Sequence, residues 1–285
     1  MKETTLIQDT PTLTETTLVL GGSGKTGRRV VRQLEERGLP VRIGSRSANP
    51  AFDWHDPSGW SEVLEGVSSI YIAYHPDLAA PGATDAIQSL VEAARGQGVK
   101  KLVLLSGRGE AEAQRCETIV QESGIDHTIV RCAWFNQNFS ENFIRDMVLG
   151  GTIALPVEGV REPFVDVEDI ADVSVAALTE SGHNGKLYEL TGPELLTFGE
   201  AAAAISKATD REIRFQPIPR EEFLAGLEAM ELPAELTSLL DYLFTEVLDG
   251  RNESLTGGVQ RALGRPPRRF ADYASRAFAE GYWNS

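Results

Sequence analysis

From Thr17 onward, the hydrophobic positions of the chain follow two alternating patterns. Short apolar runs rich in β-branched residues, such as TLVLG, SSIYIAYHP, KKLVLLSG and HTIVRCAWF, are typical of buried strands. Longer amphipathic stretches lie between them, among them GKTGRRVVRQLEERG and ATDAIQSLVEAARGQG, and these predict helices. Strands that alternate with helices predict an α/β fold with a Rossmann-type, doubly wound parallel sheet.

The same pattern divides the chain into three parts. Residues 1–16 are Thr-rich and acidic, and they are predicted to form a disordered tail. Residues 17–150 carry the regular alternation and are predicted to form the Rossmann domain. Residues 151–285 are predicted to form a smaller, mostly helical substrate region that is interleaved with late elements of the sheet.

Charge and cysteine content narrow the range of partners. The formal net charge of −15 argues against a nucleic-acid partner, and the basic run at Arg265, Arg268 and Arg269 is expected to be a solvated cluster at a helix start. With only Cys116 and Cys132 present, the chain lacks a disulfide framework, which favours the reduced cytoplasm. No apolar run approaches the ~20 residues that a membrane span needs, so no membrane partner is expected.

The stretch GGSGKTG follows the first predicted strand and can be interpreted as either of two phosphate-binding loops. A P-loop would need glycine at position 19, where the chain has Val19. Gly21, Gly24 and Gly27 have the spacing of a dinucleotide-binding turn, in which they permit the tight turn, the approach of the pyrophosphate and close helix packing. The residues predicted to bind the cofactor here are Gly21, Ser23, Gly24, Lys25 and Thr26.

The end of the second predicted strand indicates which dinucleotide binds. An acidic residue at that position would bind the ribose diol of NAD, whereas an arginine accommodates the extra phosphate of NADP. The chain has Ser45 and Arg46 there and no acid, which favours NADPH and makes residues 17–150 an NADP-binding domain. The alternative is that Arg46 is an ordinary solvated surface residue.

Six motifs together resemble the atypical short-chain dehydrogenase/reductases, in the branch similar to NmrA regulators and NADPH quinone reductases. They are GGSGKTG, FDWHDPSGW, LVLLSGRGE, HTIVRCAWFNQNF, PFVDVEDIAD and ALGRPPRRFADYA. The resemblance implies that Asp53 and Trp54 lie beside the adenine, and that Tyr74 and His75 pass the nicotinamide ribose. Trp54 can equally be a core aromatic, and His75 a turn residue.

Most short-chain reductases use a Tyr-x-x-x-Lys pair to deliver a proton as hydride arrives. None of the six tyrosines here is followed by lysine at that spacing. The chain is therefore predicted to be either a reductase whose proton comes from substrate, solvent or another side chain, or an NADP-sensing regulator without chemistry, as the NmrA resemblance allows.

Candidate residues for the substrate side follow two other predicted strands. The segment WFNQNF mixes aromatic planes with amides, as a flat polar ligand requires, or it forms an aromatic cap whose amides close turns. Its predicted substrate-binding residues are Trp134, Phe135, Asn136 and Asn138.

Three residues are candidates for catalysis. By the resemblance, Ser106 and Arg108 fall near the substrate-side serine of related reductases, and His75 is an alternative proton source. Ser106 can instead close a turn, and Arg108 can form a structural salt bridge to Glu110 or Glu112.

Asp166, Asp169 and Asp172 are interpreted as helix caps and packing residues rather than metal ligands, because Val167 and Ile170 have the spacing of a buried helical face. Cys116 is expected to be a buried helix residue.

The sequence thus predicts a cytoplasmic, NADPH-dependent reductase that acts on an aromatic ketone. It most resembles the ketoreductases that tailor aromatic polyketides such as angucyclinones. An NADPH:quinone reductase and a non-catalytic NmrA-like regulator are the alternatives. The sequence does not indicate an oligomeric state.

Overall fold

The computed structural model describes residues 15–284. Of the predicted tail, residues 1–14 lie outside the described residues. The first strand begins at Thr16, one residue before the predicted start, because Thr16 already pairs with Val67 of a neighbouring strand.

Ten strands are present between residues 15 and 284. They are β1 (Thr16–Leu20), β2 (Val41–Gly44), β3 (Val67–Ile72), β4 (Lys101–Gly107), β5 (Asp126–Cys132), β6 (Thr152–Leu155), β7 (Arg161–Glu162), β8 (Lys186–Leu190), β9 (Leu196–Thr197) and β10 (Arg214–Pro217) in the described residues.

Eleven α-helices are present in residues 15–284. They are α1 (Gly27–Glu36), α2 (Trp60–Leu64), α3 (Ala83–Gly96), α4 (Ala111–Gln121), α5 (Phe143–Leu149), α6 (Val167–Thr179), α7 (Phe198–Thr209), α8 (Arg220–Ala229), α9 (Ala234–Tyr242), α10 (Gly258–Leu263) and α11 (Phe270–Ala279). Short 3-10 turns occupy Pro57–Gly59 and Asn136–Phe139, and a π-helical turn occupies Leu243–Val247.

The central sheet has six strands in the order β2-β1-β3-β4-β5-β8, all paired in parallel. The chain moves outward from β1 to β2 and then crosses to β3 on the other side of β1. The strand order therefore reverses between β1 and β3, and ligands bind outside the carboxyl ends of the strands at such a switch point. The predicted α/β fold with a doubly wound parallel sheet is confirmed.

Two hydrophobic layers cover the sheet. Helices α2, α3 and α4 pack on one face, where Cys116 of α4 is fully buried as predicted. Helices α1, α6 and α10 pack on the other face, and Val167 and Ile170 of α6 are fully buried there, also as predicted. Each sheet face is thus closed, which is how parallel sheets occur in α/β proteins.

A third core lies beyond β5 and is made mainly by the helices of the predicted substrate region. Phe139, Phe164 and Phe198 form its centre, with ring centroids 5.2–5.8 Å apart. Trp283 is also fully buried, and its indole Nε1 donates to the carbonyl oxygen of Phe139 at 2.9 Å. Strand β8 comes from the same region but pairs with β5 in the central sheet.

Of the basic run before α11, Arg269 is exposed at the helix start as predicted, but Arg265 and Arg268 are not simply solvated. Arg265 and Arg268 each form ion pairs with Asp169 and Asp172 of α6. The acidic partners lie more than ninety residues earlier in the chain, so local sequence gave no sign of them. These pairs fasten the segment before α11 to α6.

Asp166 caps α6, as predicted, by accepting from the backbone N–H of Glu168 at 3.0 Å. Within residues 15–284, no group of acidic, histidine or cysteine side chains is arranged to hold a metal ion. No helix in the described part of the chain is long and apolar enough to cross a membrane.

Candidate cofactor and substrate site

The glycine turn after β1 has the geometry that a bound pyrophosphate needs. Gly21 has φ +70°, a conformation that favours glycine, and its N–H donates to the carbonyl oxygen of Gly44 at 3.3 Å. A Cβ on Gly27 would lie 2.2 Å from the carbonyl oxygen of Gly21, so only glycine lets α1 start this close to the turn. Ser23 and Gly24 are exposed at its tip.

The start of α1 is electrostatically suited to an anion. Thr26 precedes the helix without a side-chain capping bond, and the first turn contains no acidic residue. The N–H groups and positive dipole end of a helix in this state attract phosphate. The turn and α1 therefore fit a dinucleotide pyrophosphate, which Gly21, Ser23, Gly24 and Thr26 would hold.

Lys25 connects this turn to the segment after β5. Its Nζ donates to Oδ1 of Asn138 at 3.0 Å, across 113 residues of sequence. Burial lowers the pKa of Lys25, the charges of Arg28 and Arg29 lower it further, and Glu141 opposes them. The structure thus places a predicted cofactor residue and a predicted substrate residue in direct contact.

The end of β2 lies beside the turn and carries the predicted 2′-phosphate residues. The hydroxyl oxygens of Ser45 and Ser47 are 3.3 Å apart, and Arg46 is exposed. Arg46 forms no ion pair with any residue of the described chain. Two hydroxyls and an unpaired guanidinium are suitable groups for binding a phosphate.

The rings of Trp54 and Tyr74 are in contact, with centroids 4.8 Å apart. The predicted adenine side of the site therefore adjoins the turn after β3. Trp54 also packs edge-on against Phe52 at 4.9 Å, so it is partly a core aromatic, as its alternative interpretation held. Asp53 accepts from the backbone N–H of His55 at 3.0 Å. His75 is exposed on the turn that follows β3.

Ser106 is buried at the end of β4 and is already engaged. Its hydroxyl donates to Glu117 Oε1 at 2.6 Å, and Arg131 of β5 donates to both oxygens of the same carboxylate. The register of β4, β5 and β8 sets Ser106, Arg131 and Glu189 side by side in one row across the sheet. This network holds Ser106 in one orientation.

The guanidinium of Arg108 is bonded to groups in the C-terminal half of the chain and is not a free cation. Its Nε pairs with Glu189, and its Nη1 donates to the carbonyl oxygen of Asn252 at 2.8 Å. The sequence had suggested Glu110 or Glu112 as its partner. Strand register brings Glu189 of β8 next to β5. This partner is 81 residues away from Arg108 in the sequence, so local sequence could not identify it.

The sequence left two interpretations of the segment WFNQNF open: binding of a flat polar ligand, or an aromatic cap whose amides close turns. Gln137 closes a turn, since its Nε2 donates to Asp166 at 2.8 Å and its Oε1 accepts from the N–H of Val167 at 2.9 Å. Phe135 forms a backbone bridge to Val165.

Asn136 behaves differently from its neighbour Gln137. It is fully buried, and neither its Oδ1 nor its Nδ2 has a hydrogen-bond partner in the described chain. The Nε1 of Trp134 is likewise buried without a partner, while the ring packs against Phe244 at 5.1 Å. Such atoms are rare in native proteins because each carries a desolvation cost.

Two carboxyl groups of the site were not identified as functional residues from the sequence. Asp77 follows the turn after β3. Glu110, which the sequence offered only as a salt-bridge partner of Arg108, follows the turn after β4. They lie within hydrogen-bonding reach of each other. The rule that ligands bind outside the carboxyl ends of parallel strands could have singled out both positions.

The model of a family described as NAD(P)H-binding matches residues 21–181, which is more than half of the chain. The chain belongs to this NAD(P)H-binding family. The match begins at the glycine turn and ends just after α6, so it covers the elements that surround the candidate cofactor site.

Two relatives of this NAD(P)H-binding protein match over nearly the whole chain. An agroclavine dehydrogenase from Claviceps fusiformis is 32% identical over 283 residues, which cover 91% of this chain and 96% of the relative. An NAD(P)H azoreductase from Xenophilus azovorans is 30% identical over 90% of this chain and 96% of the relative. The predicted assignment as an NAD(P)H-dependent oxidoreductase is confirmed.

Solved structures share its fold. The NADPH-dependent quinone oxidoreductase of Escherichia coli, complexed with NADPH, has a TM-score of 0.76 at 20% identity and covers 92% of this chain and 99% of its own. NmrA, a negative transcriptional regulator in complex with NAD, has a TM-score of 0.70 at 15% identity over 94% and 96%. The predicted NmrA-like and quinone reductase-like architecture is thereby confirmed.

Proposed function

We propose that the protein transfers hydride from NADPH to the carbonyl of an aromatic, polyketide-like ketone, without the Tyr-x-x-x-Lys pair. The observation that carries this proposal is the set of buried, unpartnered polar atoms on Trp134 and Asn136. An indole N–H and an amide N–H can both donate to a carbonyl oxygen. The aromatic rings around Trp134 supply flat apolar contacts for a planar acceptor.

The preference for NADPH over NADH rests on the end of β2. Arg46 is exposed and unpaired within residues 15–284, and the hydroxyls of Ser45 and Ser47 lie close together beside it. These groups suit the dianionic 2′-phosphate, and no acid follows β2 to bind a ribose diol. Asp53, Trp54 and Tyr74 would complete the pocket on the adenine and ribose sides.

The proposed catalytic residues differ in whether their polar atoms already have hydrogen-bond partners within the protein. The hydroxyl of Ser106 donates to Glu117, and the guanidinium of Arg108 is taken up by Glu189 and the loop that contains Asn252. Both therefore act by holding the site together. His75 is exposed at the turn after β3, so a ligand can reach its imidazole.

A pair of tryptophan variants tests the substrate assignment through NADPH oxidation, followed by absorbance, with hydroxylated polycyclic ketones as acceptors. Trp134→Phe removes an unpartnered N–H, so it should raise the KM for the ketone about tenfold and leave that for NADPH unchanged. Trp283→Phe removes an N–H that is bonded to Phe139, so it should lower Tm without changing KM. An unchanged ketone KM in Trp134→Phe would contradict the proposal.

A quinone is the second candidate acceptor. The observation that favours it is the missing Tyr-x-x-x-Lys pair, because reduction of a quinone gives phenolates that need no strong enzymic acid. One relative is named an NAD(P)H azoreductase, and the conjugated acceptor in that name also supports the quinone as a candidate. Turnover of simple quinones at rates above those of any polycyclic ketone would replace the ketone proposal with this one.

A further inference from the structure

Two acidic side chains lie at the carboxyl ends of neighbouring strands. Asp77 is five residues beyond the end of β3, and Glu110 is three residues beyond the end of β4, just before α4. Because β3 and β4 pair in parallel, both residues lie at the sheet edge that also carries the glycine turn after β1. The pair is therefore on the ligand-binding side of the sheet.

The local backbone is shaped around these carboxyls. A Cβ on Gly107 would lie 2.1 Å from Oε1 and 2.3 Å from Cδ of Glu110, so the missing side chain at this position makes room for the acid. The backbone N–H of Ala79 donates to Oδ1 of Asp77 at 2.8 Å and fixes the other carboxyl. The two groups are thus held in one place by the turns after β3 and β4.

Burial distinguishes the two acids. Glu110 is only 6% exposed, and its Oε2 is buried with no hydrogen-bond donor in the described chain. Asp77 is partly exposed and is the member of the pair that solvent or a ligand can reach. No lysine or arginine within residues 15–284 forms an ion pair with either carboxyl.

The groups facing the pair are mostly neutral or negative. Cys116 and Glu117 face it from α4, Cys132 from β5 and Tyr242 from the end of α9. Two guanidinium groups on this side are already engaged: Arg251, which donates to the carbonyl oxygen of Gly109, is paired with Asp249, and Arg131 is paired with Glu117.

The proton balance of the pair follows from these surroundings. Burial raises the pKa of both acids, and the negative charges of Asp77 and Glu117 raise that of Glu110 further. Two adjacent carboxyls without a cation retain one proton between them. Glu110 is the more deeply buried of the two acids, which favours its carboxyl as the group that holds this proton.

We propose that Asp77 and Glu110 together form the proton donor for carbonyl reduction, the task that the absent Tyr-x-x-x-Lys pair performs elsewhere. This inference rests on the proposed function. Hydride arriving at the carbonyl carbon converts the C=O π pair into an alkoxide lone pair, and NADPH supplies both electrons. Asp77 passes the shared proton to the alkoxide as the O–H bond of Glu110 breaks, and solvent then reprotonates the pair.

The test compares the kcat of Asp77→Asn and Glu110→Gln with that of the wild-type enzyme on an aromatic ketone and on a simple quinone. Loss of a general acid should lower kcat for the ketone by about 10²-fold, whereas quinone reduction should stay close to the wild-type rate. The wild-type kcat for the ketone should also fall as pH rises through the pKa of the pair, and Glu110→Gln should abolish this fall.

Glu162→Gln is the matched control. Glu162 is another buried acid with an unpartnered Oε2 and a raised pKa, but it lies next to Arg108 and Asn252 rather than beside Asp77. Its removal should leave the ratio of ketone to quinone turnover unchanged. Tm of all three variants, measured by thermal unfolding, should stay at or above the wild-type value.

Infrared spectroscopy adds a readout that needs no acceptor. In a Glu162→Gln background, which removes the other acid with a raised pKa, a protonated carboxyl C=O band should persist at neutral pH and vanish when Glu110→Gln is added. The absence of this band, equal losses with ketone and quinone, or an undiminished ketone rate in the variants would each overturn the donor role alone. A wild-type enzyme that reduces no ketone would overturn the proposed function, and the donor role with it.

Discussion

Replacing Asn136 by leucine tests whether its side-chain amide binds a ligand or supports the fold. Asn136 is fully buried, and both polar atoms of its side chain are without partners in the described chain. Leucine has a similar branched shape and no polar atoms, so the substitution removes the desolvation cost and nothing that the fold itself uses. Gln137, its neighbour, is the matched control because both ends of its amide are bonded to the start of α6.

The two substitutions, Asn136→Leu and Gln137→Leu, should change Tm in opposite directions. A buried polar group without a partner costs about 1–3 kcal/mol, so Asn136→Leu should raise the free energy of unfolding by about 2 kcal/mol. In a chain of this size, each kcal/mol moves Tm by about 2–4 °C, which gives a rise of about 4–8 °C. Gln137→Leu breaks two hydrogen bonds and leaves the N–H of Val167 unpaired, so Tm should fall by at least ~4 °C.

The assay is thermal unfolding followed by circular dichroism, together with NADPH oxidation by the same preparations. Asn136→Leu should unfold at a higher temperature than wild type while its KM for the ketone rises and its KM for NADPH stays constant. A fall in Tm as large as that of Gln137→Leu would show that the Asn136 amide has structural partners, and the argument for a ligand at this position would then be refuted.

Two further changes test the cofactor end and a buried acid. Arg46→Ala should raise the KM for NADPH about tenfold relative to that for NADH, because a phosphate loses a charged hydrogen bond; an unchanged ratio would exclude the NADP assignment. Burial raises the pKa of Glu162 to about 8, so its contribution to stability is complete below pH 4.5 and is lost as pH rises through 8. Glu162→Gln should therefore raise Tm above pH 8, measured by thermal unfolding, and equal Tm values there would contradict the raised pKa.

The parts of the site that the sequence predicted are those whose chemistry is local. The glycine turn, the helix after it and the basic residue after β2 lie within thirty residues and follow known spacing rules. The structure shows why these spacings are required, since Gly27 leaves no room for a Cβ beside Gly21.

The interactions that the sequence did not predict are all long-range. Arg108 pairs with Glu189 and Arg268 with Asp169, over 81 and 99 residues, because strand register and helix packing bring them together. The Asp77–Glu110 pair was missed for the same reason. A single sequence shows which residues are charged, but the order of strands in the sheet determines which of them form ion pairs.

The position of β8 has a consequence for any attempt to isolate the nucleotide-binding half. Cutting the chain after residue 150 would remove β8 and leave β5 (Asp126–Cys132) with one whole row of N–H and C=O groups unpaired. An exposed, apolar edge strand of this kind pairs with strands of other chains and forms intermolecular sheets. A truncated version should therefore precipitate unless Lys186–Leu190 is retained, so the unit that can be produced on its own is longer than the unit that binds the nucleotide.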